Sequence, residues 1–238
     1  MKQKFIILNT ALFLLTACGN KKNQKAALAK NYFQQSLIAA EKNKREALAL
    51  IDKSLDIDPT PRSYALKAML LYQIGHYKES LILFEKVINE KATPAHLKTD
   101  AYNNYACNLL MLGDSEKAKK TWLDLTENRH YLSPEVAWFN IGHLELLEFT
   151  SQPKKELLNK ADQEKLALAA NYFKNAIRIN SDYIDAYYYL AVALIYLDYL
   201  VEAKQNLIQI IGIMPEHESA QKLLQNLNQK IKAIHHKK

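Results

Sequence analysis

Two helical patterns that meet at a single glycine constrain this chain more than any other feature. The stretch from Thr99 to Pro134 reads TDAYNNYACNLLMLGDSEKAKKTWLDLTENRHYLSP, with the junction at Gly113-Asp114. On both sides of the junction, apolar residues recur at spacings of three and four, which is the period of one helix face. The first apolar stripe contains Tyr102, Tyr105, Ala106 and Leu109, and the second contains Ala118, Trp122 and Leu125. The stretch therefore predicts two helices joined by a tight turn.

This pattern resembles the tetratricopeptide repeat, a helix-turn-helix unit of about 34 residues. In that family, small residues such as Ala106 and Ala118 stand where the paired helices cross closely. Gly113 falls at the family's turn, and Trp122 falls where a large side chain fills the space between repeats. The resemblance implies an all-α tetratricopeptide-repeat solenoid, with five to six helical hairpins stacked in a right-handed superhelix. Only five glycines and six prolines interrupt the chain, as helices with short turns require.

Similar patterns recur along the chain and predict a repeat domain over residues 27–238. The expected repeats cover approximately 27–60, 61–94, 95–133, 134–180 and 181–215, and a C-terminal capping helix covers 216–232. Such arrays need an end with one polar face to stay soluble. The fourth repeat is about 15 residues longer than the family unit, with the insertion near 149–165. This insertion could contact a specific partner, or it could be a tolerated surface extension.

The N-terminus has the layout of a secretory signal, with a basic start and an apolar run from Phe5 to Leu15. That run is shorter than the ~20 residues of a membrane-spanning helix. The run ends in Leu15-Thr16-Ala17-Cys18, which resembles the lipobox of bacterial lipoproteins. The resemblance implies a signal peptide over 1–17, a diacylglycerol on the Cys18 sulfur and an N-acyl chain on its amino group. An ordinary signal peptide with a chance cysteine is the alternative.

The residues after Cys18 predict where the anchored protein resides. Gly19 stands where an inner-membrane retention signal would usually have Asp, so the family resemblance implies the outer membrane, with the body facing the periplasm. Each buried CH₂ of an acyl chain contributes about 0.8 kcal/mol of membrane affinity, so two or three chains hold a protein firmly. Residues 18–26 are expected to be the acylated cysteine and a flexible tether.

No chemistry-bearing constellation is visible in the sequence. Phosphate-binding loops, nucleophile elbows and HExxH motifs are absent, so the chain is not expected to be an enzyme, to hold a metal or cofactor, or to take a small-molecule substrate. The net charge of +7 lacks a basic patch with a reading element, which argues against nucleic acid as a partner. Cys107 has no disulfide partner once Cys18 is acylated, and a small buried hydrophobe is its expected role.

A helical array of this kind binds other proteins, because its first helices line a concave groove. Aromatic and amide side chains in such a groove suit extended or helical peptide segments. Any one of these residues could instead pack between repeats, and His143 in particular could be a buried structural histidine. The lining lacks the cations with which some repeat proteins clamp a terminal carboxylate. The predicted protein-binding residues are Met69, Tyr72, Gln73, Asn103, Phe139, His143, Tyr188 and Tyr196, with Cys107 and Val192 beside them.

A lipobox followed by such repeats resembles the outer-membrane lipoproteins of type IV pilus biogenesis, the pilotin family that helps the secretin pore assemble. The resemblance is carried by Asn103-Asn104-Tyr105, Gly113, Ala118, Leu132-Ser133-Pro134-Glu135 and Asn140-Ile141-Gly142. It implies a non-enzymatic, lipid-anchored scaffold whose partner is a secretin subunit or another envelope protein. Two alternatives share the fold and anchor. One is a general periplasmic adaptor that scaffolds cell-wall enzymes or proteases, and the other is a component of the barrel-assembly machinery.

Overall fold

The structure is a computed structural model that describes residues 3–152 and 157–235, with side chains over 21–152 and 157–234. The backbone of these residues forms eleven α-helices without any strand, which confirms the all-α prediction. The chain divides between Gly113 and Asp114 into two compact units, which we call unit 1 and unit 2. Among the described helices, none combines the length and the apolar character that crossing a membrane requires.

Unit 1 contains the first five helices, and helices that are adjacent in sequence pack against each other. The helices are α1 (Gln3–Ala40), α2 (Lys44–Ile57), α3 (Pro61–Gln73), α4 (Tyr77–Asn89) and α5 (Ala95–Met111). The first helices of the second and third hairpins, α3 and α5, also contact each other directly. This packing between sequence neighbours is the organisation expected of a repeat array.

The helix ends in unit 1 follow from short local signals. The Asn43 side chain accepts hydrogen bonds from the first backbone N–H groups of α2, and Thr60 does the same for α3, in which Pro61 is the first residue. Gly75 and Gly113 follow α3 and α5 with φ of +83° and +90°. This left-handed conformation favours glycine and satisfies the last carbonyls of each helix. Gly113, which the sequence predicted at a turn, therefore stands where the backbone needs a glycine, and Gly75 has the same conformation after α3.

Buried serines join the two helices of each of the first two hairpins. The Ser54 hydroxyl of α2 donates to the Ala29 carbonyl of α1 over 2.8 Å. In the second hairpin, the Ser80 hydroxyl of α4 donates to the Ala68 carbonyl of α3 over 2.7 Å. These hydrogen bonds explain how polar side chains are accommodated between the paired helices.

The predicted apolar stripe of α5 is wrong at one position. Tyr102 is 36 % exposed, whereas Tyr105, Ala106 and Leu109 are buried as expected. At 3.6 residues per turn, the residue one turn before Tyr105 on its own face is Ala101, which is 1 % exposed. A small residue therefore occupies the buried position, and the adjacent tyrosine points to solvent.

Helix α1 continues through the predicted processing region. Its backbone is helical from Gln3 to Ala40, including residues 18–26, for which a flexible tether was expected. The Cys18 side chain lies outside the described side chains, so cleavage after residue 17, lipidation and the tether stay predictions.

Unit 2 contains the remaining six helices, again packed as sequence neighbours. The helices are α6 (Ser115–Thr126), α7 (Pro134–Thr150), α8 (Lys160–Ile179), α9 (Ile184–Tyr196), α10 (Leu200–Ile213) and α11 (Glu218–His235). The first helices of its two full hairpins, α7 and α9, also contact each other.

The predicted insertion near 149–165 partly lengthens the α7–α8 hairpin. Helix α7 has 17 residues and α8 has 20, so the extra chain continues both helices beyond the usual turn position. Lys165 forms an ion pair with Glu148 across the extended arms. Asn159 and Asp162 form a reciprocal capping box at the start of α8. Residues 153–156 of the insertion lie outside the described residues.

The C-terminal cap of the array is α11. It packs on α10, and its buried residues include Ala220 and Leu227. The exposed residues of the same helix include Gln221, Lys222, Gln225 and Lys230. The His217 ring accepts a hydrogen bond from the Ala220 N–H over 3.1 Å and so caps the helix start. The predicted capping helix is present, and the final residues 236–238 lie outside the described part.

Candidate functional site

The candidates in unit 1 lie on α3 and α5, two first helices that contact each other. Met69 and Gln73 are exposed on α3, and Tyr72 between them is half-buried, with its ring centre 5.4 Å from that of Tyr77. Asn103 and Cys107 are half-buried on α5. These side chains therefore provide a surface of mixed apolar and amide character.

Burial changes the acidity of both Tyr72 and Cys107. Burial raises the pKa of Tyr72, and the nearby Cys107 and Tyr77 raise it further. Burial also raises the pKa of the Cys107 thiol to about 11. The thiol therefore stays protonated at neutral pH, and a protonated thiol is a poor nucleophile. Cys107 is a small, unreactive part of this surface.

A pocket in unit 1, which the sequence did not reveal, lies beside the first helices α1, α3 and α5. Its volume is about 530 Å³, which is within the range of ligand-binding pockets. Phe33, Leu37 and Leu97 provide apolar walls, and Lys30 and Arg62 add two cations. The pocket borders residues of α1 that follow the predicted lipid anchor.

Unit 2 carries a continuous group of aromatic side chains on its first helices, which we call the aromatic face. Phe139 of α7 is its centre. Its ring lies 5.2 Å from Tyr183, 5.7 Å from His143 and 5.7 Å from Tyr189. All these residues are half-buried, so their rings are partly open to solvent. The aromatic face consists of Phe139, His143, Tyr183, Tyr188 and Tyr189.

Helix α8 supports the aromatic face from below. The Phe173 ring of α8 is fully buried and lies 5.8 Å from Phe139 and 6.1 Å from Tyr189. Tilted and offset ring pairs at such distances add about 0.5–1.5 kcal/mol beyond area burial. The face is therefore anchored to the core of the α7–α8 hairpin.

His143 is held in its neutral form by its surroundings. Its ring lies 4.7 Å from Tyr189, and burial lowers its pKa, although the negative charge of Asp185 acts in the opposite direction. A neutral imidazole that stacks on Phe139 and meets Tyr189 edge to face adds contact area without adding charge. Among the described residues, no hydrogen bond or ion pair is formed by the His143 side chain.

The other two predicted binding residues of unit 2, Tyr188 and Tyr196, lie in different surroundings. Tyr188 contacts the Tyr189 ring at 5.5 Å and the His217 ring at 5.9 Å, so it extends the aromatic face toward α11. Tyr196 is 45 % exposed and pairs with Phe149 at 5.1 Å. Among the described residues, no ring contact connects this pair to the face.

Two carboxylates border the aromatic face. Burial raises the pKa of Tyr183, and the charges of Asp185 and Glu135 raise it further. Asp185 also raises the pKa of Tyr189, after the larger effect of burial. Negative charge is therefore concentrated beside the rings. The sequence analysis missed Tyr183, Tyr189 and Asp185, and the run Tyr187-Tyr188-Tyr189 was the available signal for one of them.

These surfaces are suited to binding. Within the described side chains, no group of three His, Cys, Asp or Glu residues could hold a metal ion. The geometry instead offers partly exposed rings and a few polar groups, the composition that dominates protein-binding hot spots.

Comparisons with known proteins support the fold. No protein-family profile and no curated protein sequence matches the chain. Among solved structures, PilF of Pseudomonas aeruginosa is similar with a TM-score of 0.67 and 19% identity, over 88% of this chain and 86% of that chain. PilW, described as a widely conserved type IV pilus biogenesis factor, gives 0.62 and 17% over 79% and 78%.

A third similar structure is YrrB, described as a TPR protein with an unusual peptide-binding site. It gives a TM-score of 0.52 and 20% identity over 87% of this chain and 96% of that chain. The likeness to these proteins confirms that the chain folds as an all-α tetratricopeptide-repeat solenoid. Folds of this kind are typically protein-interaction modules, and no enzyme family is indicated.

Proposed function

We propose that this protein is a non-enzymatic, lipid-anchored scaffold that assists type IV pilus biogenesis by supporting the assembly or localisation of the outer-membrane secretin. The observation that carries the proposal is the fold likeness to PilW, described as a type IV pilus biogenesis factor, over 79% of the chain. PilF gives a similar fold match over 88% of the chain. The lipobox-like Leu15-Thr16-Ala17-Cys18 adds the anchor that an outer-membrane role needs.

In the proposed mechanism the protein captures and delivers a subunit. The acyl chains on Cys18 hold the protein at the outer membrane, with the repeats in the periplasm. The candidate surfaces of the two units bind segments of the secretin subunit, which keeps the subunits from aggregating until a ring forms. Binding by rigid helices with partly exposed rings keeps the entropy lost on association small.

A general periplasmic adaptor is the second candidate function. The likeness to YrrB, which covers 96% of that chain, favours it because that protein is described as having a peptide-binding site. Such an adaptor would scaffold cell-wall enzymes, proteases or barrel-assembly proteins.

A crosslinked pull-down from the protein's own membranes tests the proposal. The intact protein is expected to capture a secretin as its main partner, and deletion of the gene is expected to lower the amount of secretin multimers. A Cys18→Ala variant serves as the control for anchoring, and it should move to the soluble fraction and lose metabolic acyl labelling. Capture of cell-wall hydrolases or barrel-assembly proteins, with unchanged secretin multimers, would refute the pilus role and leave the adaptor.

A further inference from the structure

We infer that the aromatic face of unit 2 binds a cationic linear peptide segment, with an Arg or Lys side chain of the segment held between the rings and Asp185. The inference rests on the proposed function only in taking another protein as the partner. It adds the chemistry of the segment, which neither the fold nor the comparisons specify.

The rings provide the first half of the recognition. The Tyr183 and Tyr189 rings lie 5.2 Å and 5.7 Å from the central Phe139 ring, and all three residues are partly exposed. A guanidinium or ammonium group within about 6 Å of a ring centre is attracted by the negative ring face. Arginine gains more than lysine, because its planar group also stacks on aromatic rings.

The carboxylates provide the second half. Asp185 acts electrostatically on His143, Tyr183 and Tyr189. Glu135 lies in the first turn of α7 and acts on Tyr183. Across the described residues, neither carboxylate forms an ion pair with a cation.

The charged groups that act on these rings are opposite in sign to the net charge of the protein. The chain has a net charge of +7, yet, beyond burial, the charged groups that raise the pKa of Tyr183 are the carboxylates Asp185 and Glu135, and Asp185 also raises the pKa of Tyr189. A nucleic acid, an acidic peptide or an anionic membrane would place further negative charge beside Asp185 and Glu135. Charge complementarity therefore selects a cationic occupant.

Tyrosine hydroxyls supply polar contacts for a peptide backbone. Within the described part of the chain, the hydroxyls of Tyr183, Tyr188 and Tyr189 form no hydrogen bond. Each phenol can donate one hydrogen bond and accept others. An extended segment that crosses α7 and α9 is thus held by its main chain while its cationic side chain enters the aromatic face.

Asp185 also has a structural explanation, which the experiment must separate from binding. It lies in the first turn of α9, where a negative charge stabilises the helix dipole by about 0.3–1 kcal/mol. Replacing it with asparagine removes the charge and keeps a side chain of the same shape. A purely structural role predicts a small change in stability and no change in peptide preference.

The test is selection of a random peptide library, displayed on phage, against the full-length protein in detergent micelles. Selected peptides are expected to be enriched in Arg and Lys, with these cations set among apolar residues. The strongest peptide is then synthesised with a fluorescent label, and its dissociation constant is measured by anisotropy. Replacing its Arg with the neutral isostere citrulline is expected to weaken binding about tenfold, as expected for loss of one charge-assisted contact.

Protein variants complete the test. Asp185→Asn should also weaken binding about tenfold and should remove the preference for Arg over citrulline. Asp124→Asn removes the same charge from an exposed position on α6 and should change neither. Tyr189→Phe keeps the ring and should bind more weakly than wild type only through the lost hydroxyl.

Three results would overturn the inference. They are the absence of selected peptides, selected peptides without cation enrichment, and equal binding by wild type and Asp185→Asn. Failure of the proposed function would look different. Secretin multimers would then be unaffected by gene deletion, whatever the library selects. If deletion lowers secretin multimers while the library shows no cation preference, the pilus role stands and the cationic-segment inference falls.

Discussion

Replacing Gly142 with alanine tests whether the α7–α8 crossing is as close as the structure has it. Gly142 is buried in the middle of α7. A Cβ atom at this position would lie 2.9 Å from Cε1 and 3.0 Å from Cδ1 of Phe173, and 3.2 Å from the Ala169 carbonyl oxygen. The first two distances are well inside normal carbon–carbon contact of about 3.5–4.0 Å.

The neighbours of Gly142 have little freedom to move away. The Phe173 side chain is fully buried, and its ring is in contact with the rings of Phe139 and Tyr189. The Ala169 oxygen belongs to the backbone of α8 and can move only with the helix. Relief of the clash therefore requires either a shift of α8 or displacement of the rings.

The magnitude follows from two opposing terms. Adding a methyl group to a close-packed core typically costs about 1–3 kcal/mol. Alanine has a higher helix propensity than glycine by about 1 kcal/mol, which offsets part of that cost. We expect Gly142→Ala to lower the free energy of unfolding by up to about 2 kcal/mol.

Gly212→Ala is the matched control. Gly212 is also helical, near the end of α10, but a Cβ atom there would meet nothing within 4 Å. Only the propensity term remains, so this variant should gain about 0.5–1 kcal/mol. The same substitution is thus predicted to have opposite signs at two helical glycines of unit 2.

Urea unfolding followed by tryptophan fluorescence measures both variants. The only two tryptophans of the chain lie in unit 2. Trp122 is buried in α6, and Trp138 of α7 stacks on Tyr172 at 5.7 Å. Their fluorescence therefore follows unfolding of the unit that contains the substitutions, and an unchanged slope with urea would show that only stability changed. If Gly142→Ala proves as stable as Gly212→Ala, the close crossing of α7 and α8 is refuted.

Three further predictions concern stability. Asp198 has φ of +61° in the turn before α10, so Asp198→Ala should lower the thermal midpoint by an amount equivalent to about 1 kcal/mol, whereas Asp198→Gly should not. Lys119→Met leaves the buried Glu145 carboxylate without its ion-pair partner. The free energy of unfolding should fall by about 2–3 kcal/mol, and not by more, because Lys119 is partly exposed. Adding Glu145→Leu in a double-mutant cycle should restore most of the lost stability. The pKa of His143 is lowered in the folded state, so the unfolded state binds the proton more readily. The free energy of unfolding should therefore fall as the pH drops through about 6.5. The difference between the urea midpoints at pH 8 and pH 5 should be smaller in His143→Gln than in the wild type.

The sequence predicted the helices and most turns because local signals determine them. Gly75 and Gly113 were recognisable because only glycine adopts a positive φ without strain, and the helices were recognisable by the period of their buried faces. The turn at Asp198 has the same hydrogen-bond pattern as that at Gly75, since Tyr199 N–H donates to the Leu194 carbonyl as its counterpart does after α3. Aspartate at this position gives no comparable signal in the sequence.

The aromatic face was only partly predictable for a different reason. Tyr183 precedes α9, so helical periodicity cannot assign its direction. Tyr189 directly follows Tyr188, and a period of 3.6 would place two consecutive residues about 100° apart. Both nevertheless join the face, because large rings reach across that angle to contact Phe139, His143 and each other. Side-chain size, which a periodic pattern ignores, decided which residues meet.

The sequence left open whether Phe139 lines the binding groove or packs in the core. Its ring contacts the fully buried Phe173 on one side and the partly exposed Tyr183 and His143 on the other. One side chain therefore belongs to the hairpin core and to the candidate binding surface together. Because Gly142 sets the position of Phe173, a change at that glycine should alter peptide binding as well as stability. Loss of binding in Gly142→Ala would thus reflect a displaced face, whereas loss in Asp185→Asn, at unchanged stability, would reflect a lost charge.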